Sequence, residues 1–195
     1  MSAAREASPR LHARLDLPGG RLQVRAGEVA ELPDDPAHVA ALLGHDRRRP
    51  HRVVLDGRRL DRRSPSARVR AGLVGIGQAP VAPEVTVIDH LAALVRRTTA
   101  GKLLADTPRL APLGARPAGL LSGGERRLLA WTMARALRPA VVVLDRAGTG
   151  LDTAALAWAG EVIDDWAATG VGVLVRVGRE QERRWLVPPP AAGPG

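Results

Sequence analysis

The sequence predicts an α/β fold: a mainly parallel sheet flanked by helices. Three observations carry this. The runs "AVVVLD" (140–145) and "VGVLVRV" (171–177) are apolar and rich in valine, the pattern of parallel strands buried on both faces. A well-marked helical segment precedes each run, and strand–helix alternation indicates parallel pairing. The chain has 195 residues, 45% of them hydrophobic, enough for one domain with its own core.

The elements follow in order. Residues 1–10 are small and polar and read as a flexible tail; residues 11–187 form a single domain. "RLQVRAGEVAEL" (21–32) alternates as two short strands around Gly27. "DPAHVAALLG" (35–44) is a short helix stopped by Gly44. "HRVVLDGRRL" (51–60) is a strand entering an Asp-Gly turn, a strong hairpin cue that adds a small antiparallel β region. "AGLVGIGQ" (71–78) is a buried strand ending at Gln78. "TVIDHLAALVRR" (86–97) is a helix with Thr86 as its N-cap, and Gly and Pro break residues 98–120. Ser122 and Glu125 form an S-x-x-E capping box for a helix over 122–137, with Leu129, Met133 and Leu137 on one face and Pro139 at its end. The strand 140–145, a helix over 153–168 and the strand 171–177 complete the domain. Residues 188–195, "PPPAAGPG", are a flexible Pro/Gly tail.

Composition excludes several function classes. There is no Cys, hence no disulfide and no thiolate metal site. Phe and Tyr are absent and Trp numbers only four, so Val, Leu and Ala are expected to fill the core. The net charge of +9 comes almost wholly from arginine. The arginines are scattered rather than striped, and no aromatic stacking platform accompanies them, which argues against a specific nucleic-acid binder. The N-terminal stretch "MSAAREASPRLHARLDL" lacks the apolar core of a signal peptide, and no segment approaches the ~20 apolar residues of a membrane span. A cytoplasmic protein without direct membrane insertion is expected.

Several stretches, in order, carry a resemblance: "LQVRAGEVAEL", "VVLDGRRL", "ARVRAGLVGIGQAPVAPEVTVIDHL", "LSGGERRLLAWTMARAL", "VVVLD" and "GLD". Between about residues 21 and 177 the chain resembles the ATP-binding cassette (ABC) ATPases, a P-loop NTPase type. Among these it looks most like the nucleotide-binding subunits of branched-chain amino-acid-type transporters. The resemblance implies a reduced helical subdomain at about 80–125. It places the signature motif at Leu121, Ser122, Gly123, Gly124 and Glu125, which in the family meets ATP held by a second cassette. It places the magnesium-holding Walker B aspartate at Asp145, the Q-loop glutamine at Gln78 and the D-loop aspartate at Asp152. Taken alone, Ser122–Glu125 is a well-made helix cap and Gln78 a surface loop residue. A helix start with two glycines also suits an approaching anion.

The other half of the family's site is missing. The phosphate loop G-x-x-x-x-G-K-[ST] is due after "GEVAEL", where the chain reads "PDDPAHVAALLG". Two aspartates repel a phosphate there, and each proline removes an N–H donor. The only lysine, Lys102, follows Gly101 far past the first strand. Losing the lysine and two or three donors removes charge-assisted bonds of ~1.5–3 kcal/mol each. Even ~5 kcal/mol weakens triphosphate binding by roughly several thousand-fold. Arg146 stands in the catalytic glutamate's place and Val177 near the switch histidine's. The adenine-stacking aromatic due near 12–18 is absent, His12 being a poor substitute. The expectation is a degenerate cassette without autonomous ATP hydrolysis. ATP and magnesium would be met only through a partner's site, with a complete second cassette and a membrane permease as partners and a place on the inner face of the membrane.

Overall fold

The computed structural model describes residues 11–17, 20–46, 52–77, 81–177 and 183–184, with 11–17 and 20 described by backbone alone. Gln78 and both terminal tails lie outside the described residues. Two four-stranded sheets form. One is parallel, in the order β3 (Val29–Glu31), β8 (Gly172–Arg176), β7 (Val141–Asp145), β6 (Leu73–Ile76). The other is antiparallel, in the order β2 (Gly20–Arg25), β1 (Leu11–Leu17), β4 (Arg52–Leu55), β5 (Arg58–Arg59). The two strands expected around Gly27 both exist, but they belong to different sheets.

Side-chain alternation on the parallel strands separates two cores. Val142, Leu144, Val173 and Val175 face a helical layer. Val141, Val143, Leu174 and Leu73 face the antiparallel sheet and helix α1 (Pro36–Leu43), with Val24, Val53 and Leu55. This two-sided burial is why the strands read as continuous apolar runs. Gly75 of β6 lies under Leu43 of α1, and a Cβ there would force the Leu43 side chain to shift. The expected stop at Gly44 holds: its φ is +83°, and its N–H donates to Ala41 O at 3.3 Å. In the hairpin, Asp56 and Gly57 both have positive φ, as a two-residue turn requires.

Short α2 (Pro65–Arg70) begins at the Ser64 cap, an element the sequence reading left unassigned. Its Arg68, 2% exposed, reaches back to the end of α1. Nη1 donates to Ala41 O (2.6 Å) and Leu42 O (2.5 Å), Nη2 to Asp61 O and Nε to Arg63 O. One buried guanidinium thus satisfies the carbonyls that a helix end leaves open.

The helical layer corrects the sequence in two places. The helix expected over 86–97 stops early: α3 spans Val87–Ala92, capped by Thr86 as expected. The region expected to be broken contains α4 (Arg97–Ala105), which runs through Gly101, followed by two 3-10 turns at Ala111–Leu113 and Ala118–Leu120. Lys102 sits within α4 and belongs to no loop. Helices α5 (Gly123–Ala136) and α6 (Thr153–Ala168) follow their expected bounds closely. The core is not built from Val, Leu and Ala alone. Trp131 of α5 stacks on Trp166 of α6 at 5.7 Å and meets Trp158 edge-on at 6.2 Å. Aromatic pairs add about 0.5–1.5 kcal/mol beyond their area, so the tryptophans pin α5 to α6.

Candidate functional site

Two distinct places gather chemistry. The first lies at the C-terminal ends of the parallel strands, where open α/β sheets take ligands. Asp145 ends β7 and stands in register with Arg176, which ends β8. Arg176 Nε donates to Asp145 Oδ1 at 2.7 Å, and Nη2 lies 2.6 Å from the same oxygen. Arg176 Nη1 donates to Asp34 Oδ1 at 2.7 Å. Asp34 sits just beyond β3, so a single buried arginine stitches three strand ends together. Arg146 turns with φ +48°, a left-handed conformation that a non-glycine residue rarely takes. Its N–H donates to Arg176 O (2.8 Å), and its Nη2 donates to Asp34 Oδ1 (3.3 Å).

The electrostatics match. The hydrogen bond from Arg176, then that from Arg146, hold the Asp34 carboxyl below the usual carboxylate range. Burial works against the charge on Arg176, and the two aspartates outweigh it, raising its pKa. Beside this network lies a cavity of about 600 Å³, lined by Val39, Leu43, Arg127, Asp145, Arg146 and Arg176 among others.

A magnesium triphosphate does not fit these residues. Asp34 and Asp35 put negative charge where phosphate oxygens would come, and Pro33 and Pro36 offer no N–H. The start of α1 is already closed, since Asp35 Oδ1 accepts from Ala37 N–H at 2.8 Å. Asp145 is engaged by Arg176 rather than open to a cation. Val177 packs against the helical-side core and presents no imidazole. No cluster of three or more His, Cys, Asp or Glu with the geometry to hold a metal occurs among the described residues. Arg176 is the residue that sequence reasoning missed. Its signal was present as an arginine closing an apolar run opposite an aspartate closing another, though the register that pairs them was not readable.

The second place is the start of α5. The capping box forms in full: Ser122 Oγ accepts from Glu125 N–H (3.2 Å), and Glu125 Oε2 accepts from Ser122 N–H (2.7 Å). Leu121 is buried, while Ser122 and Gly123 are exposed. Among the described residues no protein acceptor takes the N–H groups of Gly123 and Gly124. A Cβ on Gly123 would meet nothing within 4 Å, whereas one on Gly124 would stand 2.7 Å from Gly150 O. Gly124 therefore lets the loop 146–152 lie directly against the first turn of α5. Asp152 caps α6, accepting from Ala155 N–H at 2.9 Å, and pairs with Arg109. Ser122, Glu125, Asp152 and Arg109 line a cleft of about 230 Å³. The structure thus brings the sequence-predicted residues 121–125 together with Asp152 and keeps Asp145 in the separate network.

Solved structures reproduce this arrangement of two sheets and a helical layer. A nucleotide-free ATP-binding cassette from an ABC transporter superposes with a TM-score of 0.73 at 19% identity, covering 90% of this chain and 85% of that one. The fold is that of an ATP-binding cassette. The ATP-binding subunit of an ABC transporter gives a TM-score of 0.75 at 21% identity, covering 90% and 82%. A cassette of an ABC transporter in its ADP conformation gives 0.71 at 18%, covering 90% and 85%. No family model and no curated relative matches the sequence. No helix among the described residues of this cassette fold is long and apolar enough to cross a membrane.

Proposed function

We propose that this chain is an ABC-transporter subunit that does not hydrolyse ATP itself and serves a complete partner cassette. Its contribution is the start of α5: Ser122, Gly123 and Gly124 present hydroxyl and N–H groups to the γ-phosphate of ATP held by the partner. Glu125 and Leu121 hold that turn in shape, and Asp152 contacts the partner beside it. ATP and magnesium are met only in the partner's site. The pair docks on a membrane permease at the inner face of the membrane, with Gln78 on the permease side. A nucleotide-binding subunit of the branched-chain amino-acid type is the family branch whose motifs this chain shares most.

The observation that carries the proposal is an asymmetry. One helix start, at Gly123 and Gly124, keeps N–H groups that no acceptor among the described residues takes. The other, at α1, is closed by Asp35 and preceded by Asp34, which is held in an ion network around the buried Arg176. A second reading, a nucleotide-independent interaction module on the same fold, is favoured by that network, because the strand ends are satisfied without any ligand.

Co-expression with a complete cassette and measurement of ATPase activity separates the two. Ser122→Arg, which fills the exposed α5 start with a bulky cation, lowers the pair's activity by at least ~100-fold if it serves the partner's phosphate. Unchanged activity in a properly assembled pair refutes the trans role. A partner captured equally well with and without ATP favours the module.

A further inference from the structure

We propose that Asp34 is a built-in anion plug, its carboxylate filling an oxyanion site made by Arg146 and Arg176 that would otherwise take phosphate or pyrophosphate. The inference rests on the reading above that the chain's own cleft is closed to triphosphate, and it names the group that closes it.

The geometry is that of an occupied oxyanion site. Two guanidinium groups from different strand ends converge on one oxygen, Asp34 Oδ1, at 2.7 and 3.3 Å. The Arg176 side chain is 6% exposed and its planar fork is fixed by Asp145, so the donor aimed at Asp34 is pre-set. A carboxylate oxygen and a phosphate oxygen offer a guanidinium the same acceptor. The two aspartates differ in how they are held. Asp145 belongs to a central strand and is in register with Arg176. Asp34 lies on a bend outside any strand, its side chain 68% exposed. It is therefore the partner that can be removed without disturbing the sheet.

Charge explains the selectivity. With Asp34 in place, the guanidinium groups of Arg146 and Arg176 are matched by the Asp34 and Asp145 carboxylates, and the donors aimed at Asp34 are taken. Without Asp34 the same cluster carries one uncompensated positive charge beside a cavity of about 600 Å³, ample for pyrophosphate. Losing a repelling charge and freeing charge-assisted donors strengthens anion binding by roughly ten- to a hundred-fold.

The test is calorimetric titration of magnesium-free pyrophosphate, and of phosphate, at low salt into the full chain. Asp34→Ala binds pyrophosphate roughly ten- to a hundred-fold tighter than the unaltered chain. Asp34→Glu, which keeps a carboxylate, does not, and Asp34→Ala with Arg146→Ala loses the gain. If Asp34→Ala fails to fold, Asp34→Asn removes the charge at nearly constant shape and shows the same gain. A folded Asp34→Ala or Asp34→Asn that binds no tighter overturns the plug, as does a gain that survives loss of Arg146. Tight binding of Mg-ATP by the unaltered chain would instead sink the closed-cleft reading itself.

Discussion

Arg176 and Arg68 show how much single guanidinium groups decide in this chain. Arg176 holds two carboxylates from a nearly fully buried position, so Arg176→Met leaves Asp145 without its fork and releases Asp34. Losing these charge-assisted bonds, partly offset because Asp34 is solvated, is expected to cost about 2 kcal/mol, measured as a lower midpoint in urea. Arg176→Lys keeps the charge but not the fork and falls between. Arg68→Ala strips partners from four carbonyls around the end of α1, including Ala41 and Leu42, and costs about 3 kcal/mol by the same measurement. Neither role was legible in the sequence. An arginine among 27 others carries no local mark, and both act on groups distant along the chain or across the sheet. Asp145, by contrast, was legible as a polar residue closing an apolar strand, although its partner was not.

Helix starts are where local sequence and structure agree best. Thr86, Ser122 and Asp152 each cap the helix that the sequence places after them, and the Ser122–Glu125 box closes in both directions. These interactions span three residues, so no tertiary knowledge is needed to foresee them. The bounds of α3 and α4 were not foreseen. Thr86 sets the start of α3, which ends at Ala92, and α4 runs through Gly101, which faces open space and costs the helix about 1 kcal/mol relative to alanine. Ser122→Ala is expected to cost about 1 kcal/mol. Gly124→Ala forces a Cβ against Gly150 O and separates α5 from the loop 146–152, costing about 1–3 kcal/mol. Both are read by thermal or chemical unfolding. The caps also set an acid response. The Ser122 N–H lowers Glu125, and the Ala155 N–H together with Arg109 lowers Asp152, below their ordinary values of 4.5 and 3.8. Depressed carboxyls stabilise the fold above those values and lose that contribution as pH falls through their folded-state values. Stability is therefore flat near neutrality and declines below about pH 4, measurable by denaturation at stepped pH. A decline beginning near pH 6 would contradict this assignment.

Across the molecule, the parallel sheet and the ion network at its strand ends were legible in the sequence to different degrees. Two-sided burial of β7 and β8 and the helices that alternate with them made the parallel sheet legible in the sequence. The antiparallel sheet was legible at its hairpin and in the strand before Gly27, whereas β1 and its pairing with β2 and β4 were not. The absence of a G-x-x-x-x-G-K-[ST] run after "GEVAEL" was plain in the sequence. What replaces it, a network joining β3, β7 and β8, required the register. On the function proposed above, the chain keeps the start of α5 for a partner's ATP and has closed its own cleft. The direct measurement is the number of non-hydrolysable Mg-ATP analogue molecules bound per assembled pair with a complete cassette. One per pair, none on the isolated chain, and loss of that one with Ser122→Arg is the predicted result. Two per pair, or one held by the isolated chain, contradicts it.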